Sequence, residues 1–169
     1  MNIDVKQLSV EFLEDVDPAK QQKIANLVAV LSHSQLSEKQ RIIPLSPEDV
    51  FQKYIAMVAL WEGEFMGFVG ASDPIPHEQT LLCKVGSLIV PPGYQGQGIG
   101  SELIWDVTEQ LISEGKDPYA FANPVSLKAF TKIGYVPATD GQLPIGEFSP
   151  YGNTSLVLPR PFNLSERLG

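Results

Sequence analysis

A glycine-rich turn between two apolar segments constrains the fold of this chain more than any other feature. The turn occupies 90–100 (VPPGYQGQGIG) and has glycines at positions 93, 96, 98 and 100. The preceding segment, 80–90, is typical of a strand, and 99–112 has apolar residues at helical spacing. Glycine lets the main chain bend and approach a ligand closely. Because the first turn of a helix presents N–H groups that lack helical acceptors, the pattern predicts a strand–turn–helix unit that binds phosphate.

Two familiar phosphate-binding patterns fit this turn poorly. The phosphate loop of nucleoside triphosphatases requires a Lys and then a Ser or Thr after its last glycine, whereas Ile99 follows Gly98 here. The dinucleotide fingerprint G-x-G-x-x-G starts with Gly96 and Gly98, but Ser101 stands where its third glycine belongs. A dinucleotide-binding oxidoreductase therefore stays open as an alternative with little support.

A third pattern, Gln95-x-x-Gly98-x-Gly100, closely resembles motif A of the GNAT superfamily of acyl-CoA-dependent N-acetyltransferases. Segment 121–135 resembles motif B of the same family. Five residues of this segment are in register with that motif: Asn123, Ser126, Lys132, Gly134 and Tyr135. Helix signals explain part of the match, since Asn123 is a good N-cap before a proline and Gly134 is a good helix terminator. They do not explain why the two motifs follow each other at the family's interval.

The resemblance implies a fold and a ligand. The fold is α/β (α+β), with a mixed, mostly antiparallel central sheet, helices on both faces and splayed parallel strands at the coenzyme A site. The ligand is acetyl-CoA, with its pyrophosphate on main-chain amides around Gln97 and its pantetheine arm along 88–90. The residues then expected to bind coenzyme A are Leu88, Ile89, Val90, Gln95, Gly96, Gln97, Gly98, Ile99, Gly100, Ser101, Asn123, Ser126, Phe130 and Lys132. Lys128 and Lys132 are candidates for contacts to the adenosine phosphates.

The rest of the chain reads as one domain over 1–169, with a core from about residue 15 to 158. Asp17-Pro18 and Ser46-Pro47 predict helix starts, and the second helix should reach about Lys53. Glu62-Gly63 predicts a hairpin turn. Strands are expected at 54–61, 64–71, 80–90, 118–122, 135–137 and 154–158, and loops at 34–44, 73–77 and 138–152.

The resemblance also implies that a primary amine of a small molecule or a peptide attacks the thioester directly. Two positions depart from the family pattern: Phe130 stands where the acid is usually Tyr, and Lys84 stands nearest to a common Glu. A main-chain N–H near Ile89 or Val90 is the simplest oxyanion donor. No side chain is therefore assigned a catalytic role. We favour an enzyme that relies on positioning over the alternative, a catalytically silent acyl-CoA-binding module with regulatory function.

Several other polar residues are weaker candidates. Cys83 could act as a nucleophile and His77 as a base, although a strand cysteine is usually a buried apolar residue. Residues that could contribute near the motifs or around an acceptor site are Asp73, Glu78, Ser87, Tyr94, Tyr119, Asp140 and Glu147. The His, Cys and Asp residues have no metal-ligand spacing, so no metal is expected.

The composition narrows the choice of partners. The formal net charge is −8, which disfavours nucleic acid and anionic lipid. No apolar run is long enough to span a membrane. One cysteine, Cys83, cannot form an internal disulfide, which favours a reducing compartment and hence the cytoplasm. The oligomeric state stays open, with a homodimer as one arrangement.

Overall fold

The sheet at the centre of the molecule is mixed and mostly antiparallel. The computed structural model describes residues 3–34, 43–144, 153–160 and 162. The strands are β1 Ser9–Phe12, β2 Ile55–Trp61, β3 Glu64–Ala71, β4 Ile75–His77, β5 Thr80–Ile89, β6 Asp117–Ala122, β7 Val136–Pro137 and β8 Thr154–Val157. They follow the order β1-β2-β3-β5-β6-β8-β7 in the sheet, and β4 pairs with β5 beside this path. Only β5 and β6 run parallel among the described strand pairs.

Helices cover both faces of this sheet. They are α1 Pro18–His33, α2 Pro47–Phe51, α3 Ile99–Ser113 and α4 Leu127–Ile133. The helices α1 and α2 pack with Val58, Phe68 and Ile89 in one core cluster. The helices α3 and α4 pack on the other face in a second cluster, which includes Cys83 and Val85 of β5. The predicted architecture is therefore confirmed.

The predicted helix starts are confirmed in their hydrogen bonds. The Asp17 carboxylate accepts the N–H of Ala19 at 3.1 Å, with Pro18 in the first turn of α1. Ser46 and Asp49 form a reciprocal capping box, because Ser46 Oγ accepts the N–H of Asp49 at 3.1 Å and the Asp49 carboxylate accepts the N–H of Ser46 at 2.8 Å. The helix α2 ends at Phe51, two residues before the expected end.

The strand predictions fail in two places. Segment 73–77, expected to be a loop, contains β4, which forms a short hairpin with the start of β5. Among the described strands, β4 pairs with β5 alone, so its other edge has no strand to which an N–H would donate. Pro76, which lacks an N–H, is therefore tolerated there. The strand β1 begins at Ser9, upstream of the expected start of the core, and pairs with β2.

A bulge in β5 separates the two parallel strands. Gly86 pairs with Gly70 and Ile89 pairs with Phe68, so β5 uses one residue more than β3 over this step. Ser87, within the bulge, has a φ of 55°. Pairing of β5 with β6 begins at Leu82 and ends where Val85 meets Ala120, whereas β6 continues against β8. A gap therefore opens between β5 and β6 beyond Val85, as expected for a splayed pair.

Candidate functional site

A cavity of about 420 Å³ lies where this gap meets the glycine-rich turn. The residues predicted from the two motifs that line it are Leu88, Ile89, Val90, Gln95, Gly96, Gly98, Ile99, Gly100, Ser101, Asn123, Ser126 and Lys132. The fold thus brings both motifs to one cavity, although their role in binding stays a prediction. The cavity is also lined by residues that the sequence did not predict: Leu31, Ser34, Pro92, Val125 and Ala129. Leu31 and Ser34 lie at the C-terminal end of α1.

Two of the predicted residues do not line the cavity. Phe130 is only 2% exposed, and its ring packs edge-to-face against Tyr135 at a centroid distance of 5.1 Å. It lies on the buried side of α4, so its side chain belongs to the core. Gln97 turns its side chain toward the N-terminal segment, where Oε1 accepts the N–H of Ile3 at 2.7 Å. The side chain of Gln97 therefore ties the turn to the start of the chain.

The glycine-rich turn has the backbone geometry of an anion cradle. A single 3₁₀ turn, Pro92–Tyr94, leads into Gly96 with φ 80° and Gly98 with φ 90°. Gly98 is the N-cap of α3, and its carbonyl accepts the N–H of Glu102 at 3.2 Å. The N–H groups of 99–101 precede the first helical hydrogen bond, so they point out of the helix into the cavity. A Cβ placed on Gly96 would meet nothing within 4 Å, so the turn is open to a ligand.

The charges around the cavity favour an anion. The positive end of the α3 dipole lies at Gly98, and the side chains of Lys128 and Lys132 line the wall formed by α4. The described residues that line the cavity include no carboxylate. This cavity is therefore a locally cationic site in a chain with a net charge of −8.

The register of β5 decides which main-chain groups face the gap. The Lys84 carbonyl accepts the N–H of Ser72 at 2.9 Å, so the main chain of Lys84 faces β3. Ile89 pairs with Phe68, which has the same orientation on β3 as Ser72. The main-chain groups of Ile89 therefore face β3 too, and alternation turns the N–H of Val90 toward the gap. Of the two expected oxyanion donors, Ile89 and Val90, this geometry favours Val90.

A hydrogen-bonded turn joins β6 to α4. The Asn123 side-chain oxygen accepts the N–H groups of Val125 and Ser126 at 3.0 and 2.8 Å, and the Asn123 carbonyl accepts the N–H of Leu127 at 2.9 Å. The helix itself starts at Leu127, three residues after the expected start at Pro124. Asn123 thus supplies the predicted capping bonds, but to a turn that precedes the regular helix.

Of the weaker candidates, Tyr94 lines the cavity, whereas Cys83, His77 and Tyr119 do not. Cys83 is buried against the α3 face and its Sγ donates to the Ser72 carbonyl at 3.3 Å. Burial raises the pKa of this thiol to about 11, so it stays protonated and is a poor nucleophile near neutral pH. His77 Nε2 lies 2.9 Å from the carbonyl oxygen of Gly141, and Tyr119 is buried. Glu147 lies outside the described residues.

Two properties concern the described residues as a whole. None of their helices is long and apolar enough to cross a membrane. Within the same ranges, the His, Cys, Asp and Glu side chains form no group of three or more that could hold a metal ion.

Comparisons with known proteins identify the family and agree with the fold. The sequence model of the Acetyltransferase (GNAT) family matches residues 28–135. A search of curated proteins found no significant match. Among solved structures, a GNAT acetyltransferase from Staphylococcus aureus is 15% identical, with a TM-score of 0.64 over 89% of this chain and 97% of the other.

Two further solved structures, each a complex with a ligand, resemble this fold. A GNAT family N-acetyltransferase from Escherichia coli in complex with CoA is 16% identical, with a TM-score of 0.62 over 93% of this chain and 83% of the other. An Arabidopsis thaliana protein in complex with the bisubstrate analogue CoA-Ac-MVNAL is 14% identical, with a TM-score of 0.59 over 89% and 96%. At such identities these structures support the fold alone. Because the family's sequence model covers more than half of the residues and includes both motifs, the chain belongs to the GNAT family of acetyltransferases.

Proposed function

We propose that this protein transfers an acetyl group from acetyl-CoA to the primary amine of a small molecule or peptide. The observation that carries the proposal is the cavity at the β5–β6 gap, which is lined by both motifs and by the N-terminal turn of α3. Two proteins with similar folds support it, since one was solved with CoA and the other with an analogue that joins CoA to a peptide.

The residues that line the cavity fit the donor in three ways. The N–H groups of 99–101 and the dipole of α3 suit the pyrophosphate, and Lys128 and Lys132 suit the other phosphates. The N–H of Val90 faces the gap, where β5 no longer pairs with β6. The amide groups of a pantetheine arm can form the hydrogen bonds with β5 that β6 does not form there. Gly96 has open space where a Cβ would stand, so a ligand can approach the main chain of the turn closely there.

The chemistry is a direct transfer that balances without a further reactant. A bond forms between the amine nitrogen and the acetyl carbon, the carbon–sulfur bond breaks with its electron pair on sulfur, and the proton that the amine loses passes to the thiolate, directly or through solvent water. Alkyl amines have a pKa near ~10, so only the small neutral fraction attacks at neutral pH. The N–H of Val90 can stabilise charge that develops on the carbonyl oxygen. Positioning can supply up to roughly 7–11 kcal/mol of the barrier reduction.

A catalytically silent acyl-CoA-binding module is the second candidate, and a specific observation favours it. The buried Phe130 has no hydroxyl group to protonate a leaving thiolate. Lys84 stands nearest to the position at which many family members carry a carboxylate. Neither residue can serve as the acid or base that the family most often uses.

Calorimetry and a thiol-release assay test the proposal in sequence. We expect CoA and acetyl-CoA to bind and NAD to show no binding. We then expect a panel of primary amines to release CoA from acetyl-CoA, with mass spectrometry detecting the acetylated amine. Tight CoA binding without turnover of any amine would favour the silent module, and binding of NAD but not CoA would overturn both candidates.

A further inference from the structure

Two lysines lie on the face of the sheet that is opposite to α3, beside the point where β5 and β6 separate. Lys84 follows Cys83 on β5 and therefore points to the face opposite to it. The side chain of Lys53 crosses Gly70, where an added Cβ would come within 3.1 to 3.2 Å of its Cγ, Cδ and Cε. Gly70 pairs with Gly86, the last residue before the bulge. Both lysines are thus anchored next to the opening of the gap.

These lysines have charge without a matching partner in the described part of the chain. The Lys84 ammonium lies 5.6 Å from the ring centroid of Phe121 on β6. No ion pair involves Lys53 or Lys84 among residues 3–34, 43–144, 153–160 and 162. Burial lowers the pKa of Lys53, the nearby charge of Lys84 lowers it further, and Asp49 opposes this only in part. A bound anion would offset both effects, because it stabilises the charged form of Lys53.

The distance from this pair to the cavity matches a small molecule. At about 3.3 Å per strand residue, the Cα of Lys84 lies about 7 Å from that of Gly86 and, because the bulge shortens the strand, at most about 13 Å from that of Leu88, which lines the cavity. On the other strand, Phe121 lies two residues before Asn123, which also lines it. A short amine held by the lysines at one end could therefore present its nitrogen at the gap.

We propose that Lys53 and Lys84 bind an anionic group of the acceptor, so that the substrate is a small amine with a carboxylate or a phosphate at its far end. This inference rests on the proposed function and narrows its substrate class. The Phe121 ring forms an apolar wall beside the same position. The two lysines act as specificity-determining residues and do not touch the reacting atoms.

The test compares three amines that share the H₂N–CH₂–CH₂ unit. They are β-alanine with a carboxylate, O-phosphoethanolamine with a phosphate, and propylamine with a methyl group. We expect kcat/KM to be at least about tenfold higher for one or both anionic amines than for propylamine. Comparison of the two anionic amines then identifies the preferred group. Equal or better turnover of propylamine would overturn the inference and leave the proposed function standing.

Variants assign the effect to the two lysines. Lys53→Met and Lys84→Met should each raise KM for the preferred anionic amine by about 10- to 100-fold, because a hydrogen bond to a charged group is lost. Turnover of propylamine by these variants should stay within about threefold of the wild-type value. Lys→Arg at either position should keep part of the affinity for the anionic amine that Lys→Met loses. Lys23→Met, at an exposed position of α1, removes the same charge and should change neither the KM for the anionic amine nor the turnover of propylamine. Equal losses for both amines would contradict the assignment.

CoA binding separates failure of this inference from failure of the proposed function. The affinity for CoA should be unchanged in Lys53→Met and Lys84→Met, with folding checked by thermal melting. If CoA binds but no amine turns over, calorimetry of β-alanine and O-phosphoethanolamine with the CoA complex replaces kinetics. Equal affinity of the wild type and the variants for both would then refute the lysine site. Absence of CoA binding in the wild type would refute the proposed function, and the inference with it.

Discussion

At the scale of single residues, Gly98 carries both a backbone and an electrostatic constraint. Its φ of 90° is unfavourable for most side chains, and its position caps α3 at the cavity. Gly98→Asp should weaken CoA binding at least about 100-fold, because it places a negative charge at the first turn of α3 and a Cβ in the strained φ region, 3.5 Å from Val5 Cγ2. Calorimetry with CoA measures this loss, and thermal melting checks the fold.

Two control variants separate charge from geometry at Gly98. Asn tolerates positive φ about as well as Asp does, so Gly98→Asn should bind CoA more tightly than Gly98→Asp. Gly93→Asp introduces the same charge nearby, where a Cβ meets nothing within 4 Å and φ is not positive, and it should keep most of the affinity. Wild-type affinity in Gly98→Asp would count against this turn as the phosphate site.

Phe130 offers a second test at this scale, because it stands where the family's acid is usually Tyr. Its ring is buried against Tyr135, so Phe130→Tyr adds a hydroxyl group to the core instead of the cavity. We expect unfolding in urea to show a loss of about 1–3 kcal/mol, with no gain in kcat. Phe51→Tyr, at a position that is 45% exposed, should change stability by no more than about 0.5 kcal/mol. A rise in kcat at full stability would mean that the position 130 hydroxyl reaches the donor.

At the scale of elements, the bulge in β5 controls the gap. Ser87 has a φ of 55°, which glycine adopts freely and a β-branched residue resists. Ser87→Gly should therefore keep or slightly raise stability and keep CoA affinity. Ser87→Val should cost about 1–3 kcal/mol and weaken CoA binding, because the strand relieves strain by realigning toward β6. Chemical denaturation and calorimetry check both variants, and equal behaviour of Val and Gly would show that the bulge tolerates any residue.

Elements with strong local signals could be predicted from the sequence. Three helices were predicted correctly from local features, because each feature depends only on neighbours along the chain. These features are the caps at Asp17 and Ser46 and the helical spacing in 99–112. The strand β1 could not be found this way, because Ser9–Phe12 has four residues and takes its place only by pairing with β2. The strand β4 was missed because Pro76 suggests a loop unless the strand lies at an edge.

The site was predictable to a similar degree. Gly96, Gly98 and Asn123 were predicted from the resemblance to the two family motifs, and their positive φ angles or side-chain capping bonds give local reasons for these residue types. The burial of Phe130 was not, because it depends on how α4 packs against α3 and the sheet. The bulge had one sequence signal, Gly86 inside an apolar strand, since glycine there often marks irregular pairing. The Lys53–Lys84 pair had none, as only the fold brings α2 next to β5.

At the scale of the whole molecule, a ligand that bridges the turn and both motifs should stabilise the entire fold. Saturation with CoA at about 100 times its Kd corresponds to about 2.7 kcal/mol. For a domain of this size that raises Tm by roughly 5–10 °C. Thermal melting with and without CoA measures the shift. NAD at the same concentration should leave Tm unchanged. The same concentration of CoA should raise the Tm of Gly98→Asp by no more than about 2 °C, because a 100-fold weaker Kd leaves about 0.4 kcal/mol of stabilisation.

The opening between the splayed strands is bounded by peptide groups as much as by side chains. Every amino acid except proline carries the same backbone N–H and C=O groups, so substitutions along β5 can accumulate while the hydrogen-bonding edge persists, provided that the bulge survives. Mutational scanning of this strand should therefore find wide tolerance at Leu88 and Val90 for other apolar residues. Such tolerance explains how distant relatives keep a common fold after their sequences have diverged.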